Sequence, residues 1–211
     1  MTSSGKTCFM VLTGGIACGK STVCGLLREF LPNMVIFDCD ASVSRLLDSD
    51  AGVLESIQDA FGNEAADGEG RVNRAFLREQ VFGNNAHRAK LEGILHPKVM
   101  EECLASRDEA AKQGVDLFIA DVPLFYEKDL ELGQQSVLVV ATSRDTQVQR
   151  LKARDGLDDC LIESMIGAQL PISDKMSRAD VVFWNEGEPE TLRRQVRRFS
   201  QSFPNHPHDP Q

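Results

Sequence analysis

Residues 14–21 read Gly-Gly-Ile-Ala-Cys-Gly-Lys-Ser, a complete G-x-x-x-x-G-K-[ST] pattern, and they follow directly on the apolar run 8–12 closed by Thr13. No other feature constrains the fold as tightly, because the pattern has a physical role only between a strand and a helix. The glycines let successive backbone N–H groups converge on an anion, and the helix N-terminus adds positive dipole. Lys20 can then reach the β- and γ-phosphates, and Ser21 can offer its hydroxyl to a divalent cation. Gly14, Gly15, Ile16, Ala17, Cys18, Gly19, Lys20, Ser21 and Thr22 are therefore the expected phosphate-binding residues. The alternative, an ordinary glycine-rich turn, does not require the Lys-Ser pair.

Further apolar runs of strand length occur at 34–37, 117–120, 137–141 and 181–184, separated by longer segments of helical periodicity. Near-continuous apolar strands alternating with helices predict an α/β three-layer fold on a five-stranded parallel sheet. The helix after the loop should span 21–30, with Val23, Leu26, Leu27 and Phe30 on one face and Pro32 beyond its end. The chain has 211 residues, of which 42% are apolar, enough to bury a core without disulfides. Six cysteines lack a C-x-x-C pair and read as reduced thiols. A formal charge of −9 argues against nucleic acid as a partner. No segment is apolar over the ~18 residues of a membrane span. A cytoplasmic location is expected, with no membrane partner and a monomeric or weakly homo-oligomeric state.

The stretch between the second and third strands is too long for one crossover helix and should form a helical insertion. Turn-forming residues at 62–70, a cap at Asn73, a helix start at Asn85 and a break at Pro97 are expected within it. The segment 146–176 is helical, polar and arginine-rich, suited to a lid. The predicted organisation is a discontinuous core of 1–60, 114–145 and 177–203, an insertion domain 61–113, the lid 146–176 and a disordered tail 204–211.

Asp38 and Asp40 close the second strand. With the side-chain period of two they should point the same way, toward the crevice beyond the strand ends. Either could cap the next helix instead. Asp40 is the candidate base, for which position matters more than basicity because phosphoryl transfer passes through a loose transition state. Asp121 ends the third strand as an acid does in a Walker B segment and is the candidate metal ligand with Ser21. The apolar run from Val122 through Pro123 and Leu124 to Tyr126 could floor a substrate pocket or simply pack the core. Arg144, Arg150, Lys152 and Arg154 on the lid could close on a transferring phosphoryl group. Asn185 and Gly187 are placed for a nucleobase-contacting turn. Cys18, at a helix N-terminus, is expected either to carry a depressed pKa and react readily or to be an inert replacement.

In this order the motifs resemble the dephospho-CoA kinase family over nearly the whole chain. The resemblance rests on 13–22, on Asp38, Asp40 and Arg45, and on Phe61, Gly62, Asp67, Gly68 and Arg74. It continues through His96 and Pro97, the run Asp121 to Glu127, Arg150, Arg154, Gln169, Lys175, Asp180, Asn185, Glu186 and Gly187. It implies ATP-dependent phosphorylation of the ribose 3′-hydroxyl of dephospho-CoA with Mg²⁺, on a P-loop kinase-like fold with a helical acceptor domain and a lid. By the same resemblance Asp40 is the catalytic carboxylate and Lys20, Arg150 and Arg154 act at the phosphates. Asn185 and Gly187 meet adenine, and Arg74, His96, Pro123 and Leu124 lie on the acceptor side. Cys18 and Cys39 depart from the residues usual at those positions, and neither departure removes a catalytic group.

Overall fold

The computed structural model describes residues 7–203; the predicted disordered tail 204–211 lies outside them. The strands are β1 (Cys8–Gly14), β2 (Met34–Asp38), β3 (Leu117–Asp121), β4 (Ser136–Ala141) and β5 (Val181–Trp184). They form one parallel sheet in the order β2-β3-β1-β4-β5. In β1, Met10 aligns with Ile119 of β3 on one side and with Ser136 of β4 on the other. The chain moves outward from β1 to β2, returns to β3, and then crosses to β4. The direction of winding thus reverses at β1, and in open α/β sheets that reversal marks the ligand crevice at the carboxyl ends of the strands. The phosphate loop leaves β1 at that end.

The apolar runs are continuous because the central strands are covered on both faces. Leu117, Phe118, Ile119 and Ala120 are fully buried, as are Leu138, Val139, Val140 and Ala141. On one face α1 (Lys20–Phe30) buries Val23, Cys24, Leu27 and Phe30. It packs there with Leu192 and Val196 of α9 (Pro189–Ser200). Each fully buried aliphatic side chain of this kind contributes roughly 1.5–3 kcal/mol. Arg193 of α9 pairs with Glu29, its guanidinium lies 4.9 Å from the Phe30 ring centre, and that of Arg197 lies 5.3 Å from the same centre. These two arginines therefore cover the end of α1.

The chain divides into two compact units, Met1–Phe37 with Arg107–Gln211, and Asp38–Ser106. The second unit takes in residues before 61 because α2 (Cys39–Ser49) is tied to later helices. Arg74 of α4 (Arg74–Val81) bonds the Ser44 carbonyl and pairs with Asp48 at 2.8 Å, and Arg45 pairs with Glu102 of α5 (Asn85–Lys112) at 2.5 Å. Between α2 and α4 lie α3 (Ala51–Phe61), a short 3₁₀ turn at Asn63–Ala65 and a bridge pairing Ala66 with Val72. Asn73 caps α4 through the Phe76 N–H, and Asn84 caps α5 through the His87 N–H.

Two local expectations are corrected. Pro97 does not break its helix, since α5 runs through it. The N–H it lacks would have bonded the Gly93 carbonyl, and both residues are exposed, so water can serve that carbonyl. The alternation of side chains also stops at Asp38, because α2 begins at Cys39 and places Asp40 in its first turn. Asp38 caps this helix, accepting from the Ala41 N–H at 2.9 Å. The cap satisfies one of the N–H groups a helix start leaves without partners.

Beyond β4 the arginine-rich segment forms α6 (Arg144–Asp155), α7 (Asp159–Gly167) and α8 (Ile172–Ser177). The helices α6 and α7 are capped by Ser143 and Asp158, and Pro171 stands before α8.

Candidate phosphate-binding site

The loop between β1 and α1 shows why its glycines are required. A Cβ on Gly14 would collide with the Val140 carbonyl of the adjacent strand. Gly19 sits at φ 93°, and a side chain there would collide with the Asn185 amide. Ala17 also adopts a left-handed conformation, φ 56°, at a cost of about 1–2 kcal/mol for a residue with a Cβ. Such a conformation persists only where surrounding contacts hold it.

Those contacts are side chains that take the loop's carbonyls. Lys175 Nζ donates to Gly14 O at 3.2 Å, Gln147 Nε2 to Ile16 O at 2.7 Å, Arg150 Nη1 to Ala17 O at 3.1 Å and Asn185 Nδ2 to Cys18 O at 2.8 Å. Gly15 O accepts from the Cys18 N–H within the loop, and the Ile16 N–H is held by Gln169 Oε1 at 2.8 Å. Every carbonyl from 14 to 18 thus has a donor. The N–H groups of Lys20 and Ser21 open α1, where a helix supplies no acceptor of its own, and they carry the positive end of its dipole. The loop's carbonyls are taken up by fixed donors while the N–H groups that open α1 are left to an anion, which is the arrangement a phosphate needs.

The supports are themselves supported. Lys175 is fully buried, and its ammonium lies 2.6 Å from Glu127 Oε1 and 3.5 Å from Pro123 O. Glu127 Oε1 also accepts from the Leu170 N–H. Thr13, likewise buried, donates to Pro123 O at 3.1 Å. Arg150 Nη2 bonds the Asn185 carbonyl at 3.0 Å, so α6 grips both the loop and the turn after β5. Glu186 in that turn accepts from the Thr142 hydroxyl at 2.6 Å, the Thr146 hydroxyl at 2.5 Å and the Ser143 N–H at 2.9 Å. The Thr142 and Thr146 hydroxyls lead in lowering its carboxyl from the usual 4.5 to about 2.

Of the two readings of Cys18, the structure favours the inert replacement over the reactive thiol. The residue is fully buried, and desolvation raises its pKa above the usual value. Bonding from Gly15 and Thr142 and the charges of Lys20 and Arg150 pull the other way and are outweighed. Burial disfavours the thiolate more than these groups favour it.

The first unit brings together the loop, Arg150, Asn185 and the residues around Asp121. Asp121 ends β3 opposite Leu12 of β1, and the Cys24 thiol approaches its Oδ2 at 3.9 Å. After it Val122 and Phe125 are buried while Leu124 is exposed, so the apolar run divides between core and surface. Gly187 follows at φ 76° in an exposed turn. Among the lid cations, Arg144 pairs with Glu163 and Lys152 lies 2.5 Å from Asp159, while Arg154 is exposed on α6. Asp40, Arg74 and His96 belong to the second unit: Asp40 is exposed in the first turn of α2, Arg74 is occupied by Ser44 and Asp48, and His96 is half-buried on α5.

A family model described as dephospho-CoA kinase matches residues 8–190. The chain belongs to that family. It is 36% identical over 185 residues to the dephospho-CoA kinase of Geobacillus kaustophilus, covering 88% of this chain and 91% of that one. It is 40% identical over 184 residues to the dephospho-CoA kinase of Anaeromyxobacter dehalogenans, covering 86% and 85%. Among solved structures, TT1252 from Thermus thermophilus superposes with a TM-score of 0.77 at 30% identity, over 93% of this chain and 98% of that one. The dephospho-CoA kinase from Campylobacter jejuni superposes at 0.63 and 26%, over 92% and 96%. The chain is accordingly a kinase with the P-loop kinase-like fold.

Gln147 carried no expectation from sequence, and Gln169, Lys175 and Glu186 entered only through the family resemblance. One signal for Gln147 was available: it lies four residues before the buried Leu151, on the inward stripe of α6. Lys175 had none, since α8 reads as a short polar helix.

Proposed function

We propose that this kinase transfers the γ-phosphoryl group of ATP to the ribose 3′-hydroxyl of dephospho-CoA, giving CoA and ADP at the end of coenzyme A biosynthesis. The observation that carries this reading is the family match across 8–190, which spans the phosphate loop, Asp40, the lid arginines and the turn after β5. The loop N–H groups and Lys20 hold the triphosphate, and Asn185 and Gly187 border the adenine. Asp40 orients the 3′-hydroxyl and accepts its proton as the oxygen bonds to the γ-phosphorus. The bond from that phosphorus to the β–γ bridging oxygen breaks, and its electron pair leaves with ADP. Arg150 and Arg154 offset charge spreading over the transferring group. Arg74, His96, Pro123 and Leu124 bind the acceptor.

Mg²⁺ fits the oxygen donors present, the exposed Ser21 hydroxyl at the start of α1 and the Asp121 carboxylate at the end of β3. These would hold it alongside phosphate oxygens and water, the usual habit of this cation. Bound there, it supplies neutralisation of the triphosphate charge. The protein acts in the cytoplasm on small molecules, without nucleic acid or membrane, as a monomer or weak homo-oligomer. Among the described residues no helix is long and apolar enough to cross a membrane.

A coupled ADP-release assay comparing dephospho-CoA with AMP, CMP and shikimate tests the reading. Turnover on dephospho-CoA alone is expected; turnover on another acceptor and none on dephospho-CoA overturns it.

A further inference from the structure

The four donors on the loop carbonyls differ in kind. Arg150 and Asn185 are family candidates for contact with the nucleotide, whereas Gln147 is 4% exposed and Lys175 is fully buried. Neither of these two presents a polar group to solvent. A buried lysine is costly unless its charge is paired and its protons are used, and Lys175 meets both conditions with Glu127, Gly14 O and Pro123 O. Its ammonium thereby joins the first peptide of the phosphate loop to the segment after β3. Gln147 acts one turn along the loop: its amide nitrogen bonds Ile16 O, and the space beside Gly15 that a Cβ would need is filled by the same nitrogen.

The consequence for binding is electrostatic. A peptide whose carbonyl turns inward presents its negative end to the phosphate and withdraws the neighbouring N–H. Lys175 and Gln147 hold two such carbonyls out, at Gly14 and Ile16. Binding then requires no reorientation of those peptides, and preorganised donors in a dry site are worth more than donors that must turn.

We infer that Gln147 and Lys175 are positioning residues for triphosphate binding, acting through the Ile16 and Gly14 carbonyls. Glu127, 2.6 Å away, is the ion-pair partner of the buried Lys175. The inference rests on the nucleotide-binding part of the proposed function and is independent of which acceptor is phosphorylated.

The test uses the full chain and two probes, ATP and inorganic tripolyphosphate, titrated calorimetrically with Mg²⁺ present, with thermal unfolding measured on the same samples. Gln147→Met keeps the bulk and removes the donor. It should weaken both probes about 10-fold, raise the KM for ATP in parallel, and change kcat at saturating ATP less than about twofold. Lys175→Met leaves Glu127 without its partner and is expected to unfold at lower temperature. The double variant Lys175→Met/Glu127→Gln removes that stranded charge, so its Tm should recover while the loss of affinity remains. Variants that lose Tm but bind both probes as the parent does would reduce these residues to structural roles and overturn the inference. Recovery of affinity together with Tm in the double variant would overturn it for Lys175, and Gln147→Met decides the matter if the Lys175 variants do not fold. If the unaltered protein binds tripolyphosphate but does not phosphorylate dephospho-CoA, the acceptor assignment fails and the inference stands. If it binds neither probe, the nucleotide reading itself is wrong.

Discussion

The phosphate loop and the helical unit Asp38–Ser106 hold their candidate residues in opposite ways. Around the loop the supports are buried and convergent: Lys175, Gln147 and Thr13 are all at most 4% exposed, and each bonds a backbone carbonyl. In the helical unit the charged supports are largely exposed pairs, Arg74 with Asp48, Arg45 with Glu102 and Arg71 with Asp67, the buried Ser42 hydroxyl on Glu102 being the exception. Exposed pairs contribute about 0–1 kcal/mol and are screened by salt, so they hold a geometry loosely. The phosphate loop is therefore built before an anion arrives, and the helical unit keeps side chains that a ligand can recruit. If that unit binds the acceptor as proposed, the division suits two substrates of different character, one a compact polyanion and the other a long, flexible molecule.

The sharpest challenge to this contrast is Lys20→Met. With the cradle otherwise intact, kcat/KM should fall about 10³-fold, the upper range for one charge-stabilising donor. A loss below tenfold would mean the loop does not act at the transferring group. Asp40→Asn comes next, with kcat expected to fall roughly 10²-fold while ATP affinity persists, because a positioned proton acceptor is removed and the cradle is not touched. If ATP binding weakens as much as turnover, the two regions are not separable. Arg74→Ala should raise the KM for dephospho-CoA about tenfold and alter folding stability by less than about 1 kcal/mol, since its present partners are exposed. An unchanged KM with a large drop in Tm would make Arg74 a structural residue of the helical unit.

Acid pH separates the regions more gently. Glu186 is held at about 2 against an ordinary 4.5. A carboxyl whose pKa is lowered by folding adds stability that is complete above the ordinary value and is lost as pH falls toward the folded one. Glu186→Gln should therefore shrink the loss of Tm between about pH 4.5 and 2, and an unchanged acid profile would show that the carboxylate does not tie the turn to α6. The smallest effect is expected at Cys18: iodoacetamide should label the exposed Cys160 and spare the buried Cys18, leaving activity intact. Rapid loss of activity on alkylation, prevented by ATP, would restore the reactive-thiol reading.

What was legible in the sequence follows periodicity and local chemistry. The unbroken apolar run Leu-Phe-Ile-Ala at 117–120 reads as a strand covered on both faces, and the Gly-Lys-Ser end of the loop reads as the opening of a helix. Asp40 was legible as a residue of interest, while its setting was misread, because strand alternation was carried past Asp38 into a helix that Asp38 itself caps. Pro97 was misread for a related reason: proline disfavours a helix locally, and the packing of the rest of α5 outweighs one missing hydrogen bond.

By itself the sequence determined that the chain builds an α/β sheet around a phosphate loop, since strand period, glycine placement and a Lys-Ser pair are all local properties. Only the tertiary structure decided what holds that loop. Lys175 stands 161 residues from Gly14 along the chain and Gln147 stands 131 from Ile16. Whether each of them meets a carbonyl or solvent depends on strand order, β4 lying beside β1 and β5 beside β4, which no short-range pattern encodes. The same order buries Cys18, which favours the inert of the two readings that the sequence left open.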